Sequence, residues 1–399
     1  MHVHKPGTAW QPLILNPNSP DDHRRLLSLR GQGDVLECDQ LETQLEGLAT
    51  VRAPKAQLDQ NPRALAREVA SLRDSTVYAK RRWVYFPWRR QLVHTLGRDE
   101  YAELRSNRNL YKLGPREQQH LRTKTVGVVG LSVGRSSAAT MALEGVAGRY
   151  KLADLDHLEL SNLNRLRCSL ANLGLNKAVL AARELYELDP YLDIEVFDEG
   201  ITAGNIDAFL GGDHPLDLLV EECDALPMKV RLRERCKTLQ IPVLMETSDR
   251  GMVDIERFDL EPNRPLLHGL IQGVAASSLE GLSDKERIPF ALRVLGVDDM
   301  SVELAASLVE VGETITGWPQ LASAVAVGGG LVSDLARKIL LGTHNASGRF
   351  YVDLDELFQP DRAAISLLDA PSVPASTPMP RPPSATNAPK TVPRGRPRC

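Results

Sequence analysis

The sequence predicts an α/β protein built on a doubly wound, mostly parallel sheet, and three observations carry that prediction. Residues 125–129 form an apolar, β-rich run that ends in a glycine loop, Gly130-Leu-Ser-Val-Gly134. From there to about residue 245, apolar runs of strand length alternate with amphipathic helical stretches, the pattern of a parallel sheet covered on both faces. The strand after the loop ends on Asp154, at the roughly twenty-residue offset where doubly wound folds place a carboxylate.

In chain order, residues 1–105 read as an α-rich accessory α/β region. Residues 34–38 suit a short strand, and 41–48 and 61–71 suit helices, with Pro62 at a helix start. The stretch 81–90, RRWVYFPWRR, holds two of the four tryptophans. Arginines beside aromatics suit a nucleic-acid patch. The acidic chain favours the other reading, an apolar anchor docked on the core with arginines at its rim. Arg108, in Ser106-Asn-Arg-Asn109, lies just upstream of a helix at 118–121 and by itself is an ordinary solvated arginine.

Residues 106–355 form the Rossmann-like domain. Strands fit 125–129, 151–154, 193–197, 216–221 and 242–245, and helices fit 136–145, 176–188, 205–210 and 228–239. Residues 252–260 alternate apolar and polar, which suits an antiparallel addition at the sheet edge. A helical insertion at 273–317, a small-residue helical run at 318–341 and a last strand at 349–352 complete the domain. Residues 360–399 shift to Pro, Ser, Ala and Arg and read as a disordered tail unable to bury a core.

Composition narrows the class. Apolar residues make up 42% and charged residues 25% of the chain, the balance of a soluble globular protein. A net charge of −4 points to no polyanion, so no nucleic-acid partner is expected. Cys38, Cys168, Cys223, Cys236 and Cys399 form no CxxC pair, which disfavours a disulfide scaffold or structural zinc and fits a reducing compartment. His2 and His4 have no third ligand nearby and read as part of an untethered terminus. The N-terminus lacks an apolar signal core, and the run 321–341 is broken by Ser323, three glycines, Asp334 and Arg337. No membrane span is expected, and the chain is read as cytoplasmic.

A glycine loop alone says little beyond nucleotide. Gly130 and Gly134, with Ser132 between them, would let backbone approach a phosphate at a helix N-terminus. Asp154, with Asp156 just after it, would take ribose hydroxyls. Four further polar groups follow. Asn162 and Arg165 lie just past the second strand, within reach of phosphates. A surface loop with a helix cap explains that pair equally well on its own. Lys177 is a cation in the first turn of a helix, against the dipole, a cost an anion would offset. A tolerated surface lysine is the plain alternative. Asp224 ends the fourth strand at the carboxyl edge of the sheet, where a carboxylate facing phosphates implies a Mg²⁺ between them. It would serve equally as a helix cap. Jointly, these groups point to one pocket.

Between residues 108 and 267 the sequence resembles the ThiF-type, ubiquitin-activating-enzyme-like adenylating enzymes. The family includes molybdopterin-synthase and tRNA threonylcarbamoyl-cyclising relatives. The resemblance implies that residues 130–134 are the phosphate loop and that Asp154 holds ribose. It implies that Asn162 and Arg165 contact phosphates, that Lys177 is the catalytic lysine and that Asp224 is the Mg²⁺-linked aspartate. It also implies a homodimer in which Arg108 reaches the partner's ATP. More narrowly, GLSVG, LADLDHLELSNLNR and METSDRG resemble bacterial chains whose ThiF domain precedes a nitroreductase-like flavin domain; here the Pro-rich tail stands where that domain would begin.

The activity so implied is attack of a carboxylate on the α-phosphorus of ATP, giving an acyl-adenylate and pyrophosphate. Substrates would be the C-terminus of a small ubiquitin-like or sulfur-carrier protein, a peptide, or a modified nucleoside. Two features depart from the family pattern. The glycine loop is one residue shorter, with Arg135 directly after it, and no cysteine lies between Cys236 and Cys399, where thioester-forming relatives carry theirs. Cys168, Cys223 and Cys236 read as buried thiols, so the enzyme is expected to stop at the adenylate. A nicotinamide-dependent oxidoreductase would explain residues 130–154 but leave Asn162, Arg165, Lys177 and Asp224 idle. A catalytically silent nucleotide-binding scaffold is the third reading.

Overall fold

The structure is a computed structural model, which describes residues 9–58, 60–296 and 299–358. His2, His4 and residues 360–399, with Cys399, lie outside the described residues. The chain divides into two units, Met1–Asp355 and Glu356–Cys399; the sheets and helices described below all belong to the first.

Besides its helices, the N-terminal region carries a four-stranded sheet that sequence reading largely misses. The strands are β1 (Leu13–Leu15), β2 (Leu36–Asp39), β3 (Arg82–Phe86) and β4 (Gln91–Thr95), in the order β1-β3-β4-β2. The helices are α1 (Pro20–Arg30), α2 (Leu41–Arg52), α3 (Pro54–Leu58), α4 (Pro62–Arg73), α5 (Thr76–Ala79) and α6 (Arg98–Arg105). Pro62 occupies the first turn of α4, and Asn61 Oδ1 accepts the Ala64 N–H at 3.1 Å. The RRWVYFPWRR stretch is the β3–β4 hairpin. Val84 and Phe86 join the main core, and Trp88 packs edge-on to Phe86 with ring centres 5.5 Å apart. The guanidinium of Arg89 grips Glu187 through two 2.8 Å bonds, and Arg90 pairs with Asp34. Arg89 and Arg90 are thus committed to carboxylates, Arg81 and Arg82 donate to backbone carbonyls, and the stretch docks the region on the core.

The central sheet has seven strands: β5 (Thr125–Val129), β6 (Arg149–Ala153), β7 (Asp193–Phe197), β8 (Leu218–Glu221), β9 (Val243–Thr247), β10 (Met252–Glu256) and β11 (Gly348–Tyr351). Their order is β11-β10-β9-β8-β5-β6-β7; β5 to β9 are parallel, and β10 and β11 are antiparallel additions. Helices α7 (Pro115–Leu121), α8 (Gly134–Glu144), α9 (Lys177–Leu188), α10 (Ile206–Leu210) and α11 (Leu226–Leu239) lead into or connect these strands. Of the boundaries that differ from expectation, three do so for evident local reasons. The glycine loop rolls directly into α8, so that helix begins at Gly134 rather than Ser136. β8 starts two residues late, because the Asp217 carboxylate accepts from Thr125 N (2.8 Å) and Lys124 Nζ (2.9 Å) before the ladder begins. β10 ends at Glu256, where Arg257 turns the chain, its carbonyl accepting from Leu260 N at 3.0 Å.

β10 corrects the sequence reading in a second way. Its polar residues do not face water, since all five residues are buried. Asp254 accepts from Arg349 Nε (2.6 Å) and bonds His268 Nε2 (2.9 Å), while Glu256 accepts from Arg233 Nε (2.5 Å) and Leu267 N (2.6 Å). The sheet edge is β11, one strand further out.

The insertion forms α12 (Ala276–Glu280), α13 (Asp284–Leu295) and α14 (Val302–Ser307), packed on α11 around Leu226, Val230, Leu279 and Val294. Helix α15 (Ala322–Leu340) then crosses α8 closely. A Cβ on Gly329 would lie 2.4 Å from Ser136 Oγ, so glycine is what allows the approach. Among the described residues, no helix is long and apolar enough to cross a membrane.

Candidate functional site

The strand order reverses between β5 and β8. In open α/β sheets the crevice at the carboxyl ends of such a pair is where ligands bind. A cavity of about 800 Å³ opens there, lined by Gly130, Ser132, Asp154, Asp156, Asn162, Arg165, Lys177 and Asp224. Of the sequence-predicted site residues, these eight come together on one cavity.

Gly130 has φ +85°, and a Cβ there would lie 2.4 Å from the Glu222 carbonyl oxygen. Gly134 stands behind the loop rather than in the cavity; its missing side chain makes room for Val128 and Glu222. Asp154 is buried at the end of β6. Its Oδ2 accepts from Leu131 N at 2.6 Å and its Oδ1 from Asp156 N at 2.8 Å. Burial raises its carboxyl above the ordinary carboxylate range, with the two N–H donors acting against that rise. The carboxylate therefore braces the loop while lining the cavity.

The segment after β6 is shaped by its own polar residues. Asn162 Oδ1 accepts from Glu159 N at 3.0 Å, which fixes the turn that delivers Arg165. Arg165 donates from Nε to Ser132 Oγ at 3.2 Å, joining this segment to the glycine loop. Burial lowers its guanidinium below the usual arginine value, and the charge of Asp224 opposes the shift. Asn176 caps α9, accepting from Ala178 N and Val179 N, and its Nδ2 donates to the carbonyls of Asp154 and Asp198. The cap holds Lys177 at the helix start, its side chain only 9% exposed, with Nζ donating to Asp156 Oδ2 at 2.9 Å. Lys177 is thus a buried, paired cation, not a surface lysine.

Asp224 does not cap α11. Ala225 holds the cap position and no side-chain bond is made there. Asp224 is exposed on the cavity wall. Among the described residues, no cluster of three or more His, Cys, Asp or Glu is arranged to hold a metal alone. A cation at Asp224 would complete its shell from phosphate oxygens and water, the habit of Mg²⁺.

Arg108 is not part of this cavity. It is exposed in a short 3₁₀ turn, Asn107–Asn109, ahead of α7 and β5. The thiols also differ from expectation: Cys236 is buried, but Cys168 and Cys223 are half-buried. Arg135 points away from the phosphate loop, donating to Glu184 Oε2 (2.6 Å) and to Cys168 Sγ.

Sequence reasoning misses a buried charge network beneath the site. Glu221 accepts from Lys229 Nζ at 2.9 Å and from Arg233, which also holds Glu256; Arg233 and both glutamates are fully buried. The two cations hold Glu221 down to about 2 despite its burial. Beside the network, Glu222 Oε1 accepts from Glu246 N at 2.9 Å. Burial pushes both of these carboxyls well up, Glu246 to about 8, and the charge of Glu246 adds to the rise at Glu222. The available signal was acidic residues inside otherwise apolar strand sequence, LLVEE and LME.

The model described as "ThiF family" matches residues 104–366. The chain belongs to the ThiF family. An uncharacterised protein of Mycobacterium tuberculosis is 40% identical over 375 residues, covering 94% of this ThiF-family chain and 49% of that protein. The tRNA threonylcarbamoyladenosine dehydratase of Bacillus subtilis is 27% identical over 156 residues, 39% of this chain and 60% of its own length. Among solved structures, the E. coli tRNA N6-threonylcarbamoyladenosine dehydratase in complex with AMP superposes with a TM-score of 0.44 at 19% identity, covering 60% of this chain and 95% of that one. The ThiF-family chain spans about half the length of its mycobacterial relative.

Proposed function

We propose that the chain is an ATP-dependent adenylyltransferase that activates a carboxylate as an acyl-adenylate with release of pyrophosphate. The observation that carries this is the placing of Arg165 and Lys177 on the glycine-loop cavity with Asp224 on the same wall. A nicotinamide site would have no use for these groups.

In this reading Asp154 holds ribose hydroxyls, and the 130–134 backbone with the α8 N-terminus receives phosphate oxygens. Asn162 fixes the turn that presents Arg165. Arg165 and Lys177 stabilise charge growing on the α-phosphate and the departing pyrophosphate as the substrate carboxylate oxygen attacks. Lys177 is held for this by Asp156. Asp224 and phosphate oxygens would hold Mg²⁺, which when bound neutralises phosphate charge. The acidic residues of the cavity, Asp154, Asp156, Glu159 and Asp224 among them, outnumber Arg165 and Lys177, so a nucleotide's own charge calls for such a cation.

A homodimer in which Arg108 enters the partner's site completes the proposal, with the reaction in the cytoplasm. Candidate substrates are the C-terminus of a small ubiquitin-like or sulfur-carrier protein, a peptide, or a small carboxylic acid. The adenylate leaves without an enzyme thioester: Cys236 is buried, Cys168 is engaged by Arg135, and on the cavity wall burial and the charge of Glu221 hold Cys223 as a protonated, poorly nucleophilic thiol. The test is ATP–pyrophosphate exchange over candidate carboxylates, including carrier proteins encoded nearby. Exchange should require Mg²⁺ and vanish in Arg165→Ala and Asp224→Ala. Exchange surviving in both variants overturns the assignment.

A further inference from the structure

A second cavity, of about 200 Å³, adjoins the nucleotide cavity, and Glu222, Cys223 and Asp224 line both. Its outer wall comes from the insertion and the residues after it: Ala291 and Leu295 of α13, Leu304 of α14, and Trp318. Met245, Glu246 and Ser248, at the end of β9, line the opposite side. The outer wall is mostly apolar; Glu222, Glu246 and Ser248 stand at the sheet, and Lys229, Asp249 and Gln320 add to the polar lining.

Glu246 is 4% exposed, yet among the described residues neither of its carboxyl oxygens has a hydrogen-bond partner, and Ser248 Oγ has none either. The neighbouring charges do not supply one. Lys229 and Arg233 are spent on Glu221 and Glu256, and Arg349 on Asp254. The fold nevertheless makes room for the carboxyl, since a Cβ on Gly328 of α15 would come within 2.5 Å of it. Burying an acid without a partner is costly, and native proteins seldom keep one idle. A ligand that donates hydrogen bonds at one end and is apolar at the other would satisfy both ends of the cavity. A carboxylate brings no hydrogen-bond donor to the Glu246 oxygens and would add a third acid beside Glu222 and Glu246. At about 30 Å³ per water-sized volume, the space holds a body of about six heavy atoms.

We propose that this cavity holds the acyl acceptor, a small apolar primary amine whose nitrogen is hydrogen-bonded by Glu246 and Ser248 beside the adenylate. The amine site stands on the cavity alone; naming the amine as acceptor rests on the adenylation reading. In the transfer, the nitrogen lone pair forms a bond to the acyl carbon. The acyl carbon–oxygen bond to phosphate breaks, AMP leaves with that electron pair, and the surplus proton on nitrogen passes to Glu246 in its ionised form, whose share grows as pH approaches 8. The product is an amide.

Calorimetric titration of the full chain in the presence of AMP, with 3-methylbutylamine, 3-methylbutanol and 3-methylbutanoate, tests the site. The amine should bind about tenfold or more tightly than the alcohol, and the acid should not bind. Glu246→Gln, an isostere that keeps the fold, should weaken the amine about tenfold or more. Ala291→Trp fills the cavity and should remove amine binding while AMP titrates as in the parent chain. Preference for the acid, amine binding untouched by both substitutions, or no amine binding to the parent chain overturns the proposal. Exchange of ATP with pyrophosphate separates the two readings. Exchange without amine binding sinks the amine site alone, and amine binding without exchange sinks adenylation alone.

Discussion

Asp154 Oδ2 accepts the Leu131 N–H at 2.6 Å, so the carboxylate at the end of β6 is a brace of the glycine loop as well as a wall of the cavity. Removing it acts twice. In Asp154→Ala the buried Leu131 N–H loses its partner, at a cost of about 1–3 kcal/mol in unfolding free energy. ATP affinity should fall about tenfold or more. Urea unfolding and nucleotide titration measure the two effects separately, and an intact ATP affinity would remove Asp154 from the site.

Arg165→Ala and Lys177→Ala each take one cation from the cavity. Pyrophosphate exchange should drop about a hundredfold or more in each. Asp224→Ala should abolish exchange as well, through loss of the Mg²⁺ site rather than of a cation. Asp224 is exposed, so this variant should melt within a degree or two of the parent.

A trans role for Arg108 would leave a stoichiometric signature. If each site takes Arg108 from the partner, mixing inactive Arg108→Ala and Arg165→Ala chains restores activity. Half of the dimers are then mixed, with one sound site of two, so about a quarter of parent activity returns. No recovery after subunit exchange would place Arg108 outside the reaction.

Glu246 sets a pH dependence of stability. Its folded carboxyl is raised by burial from 4.5 to about 8, with the Glu222 carboxyl, which accepts from Glu246 N, beside it. The folded chain keeps the proton more tightly than the unfolded one. Stability is therefore greatest below about pH 4.5 with respect to this group and falls as pH rises toward 8. Glu246→Gln removes that fall. At pH 7 the variant should be the more stable by up to about 3 kcal/mol, and the gain should vanish near pH 4. Urea unfolding at several pH values checks the slope.

Neighbouring glycines of α15 should respond with opposite signs. Gly329→Ala places a methyl 2.4 Å from Ser136 Oγ and should cost about 1–3 kcal/mol. Gly330 is exposed with nothing within 4 Å of the added carbon, so Gly330→Ala should gain about 0.5–1 kcal/mol from helix propensity. Thermal melts of the two variants give the comparison.

The alternation of apolar strands and amphipathic helices, which follows local periodicity, made the parallel sheet legible. The cavity residues were legible because their chemistry is rare at strand ends: a buried Asp154, a lysine opening a helix, an acid closing β8. What sequence could not show is pairing across distance. That Lys177 meets Asp156 depends on how the 156–176 segment folds back. The alternation in β10 was real, but Arg233, His268 and Arg349 come from three other segments and turn its polar face inward. The β3–β4 hairpin was hidden because nearly every residue of β3 is buried, which erases the two-residue period. Glu246 and its cavity depend on the insertion closing over the sheet, a contact between segments about fifty residues apart.

The last strand has a consequence for how the chain is made. β10 pairs on one side with β9, a few residues earlier, but on the other with β11, which begins about ninety residues after β10 ends. At about 5–20 residues per second, the outer edge of β10 waits on the order of 5–20 seconds on the ribosome for its partner. During that time Asp254 lacks Arg349, and an apolar ladder edge is open to other chains. The growing chain is most prone to self-association in that interval, and truncation anywhere between 257 and 347 should yield insoluble product where the longer chain is soluble.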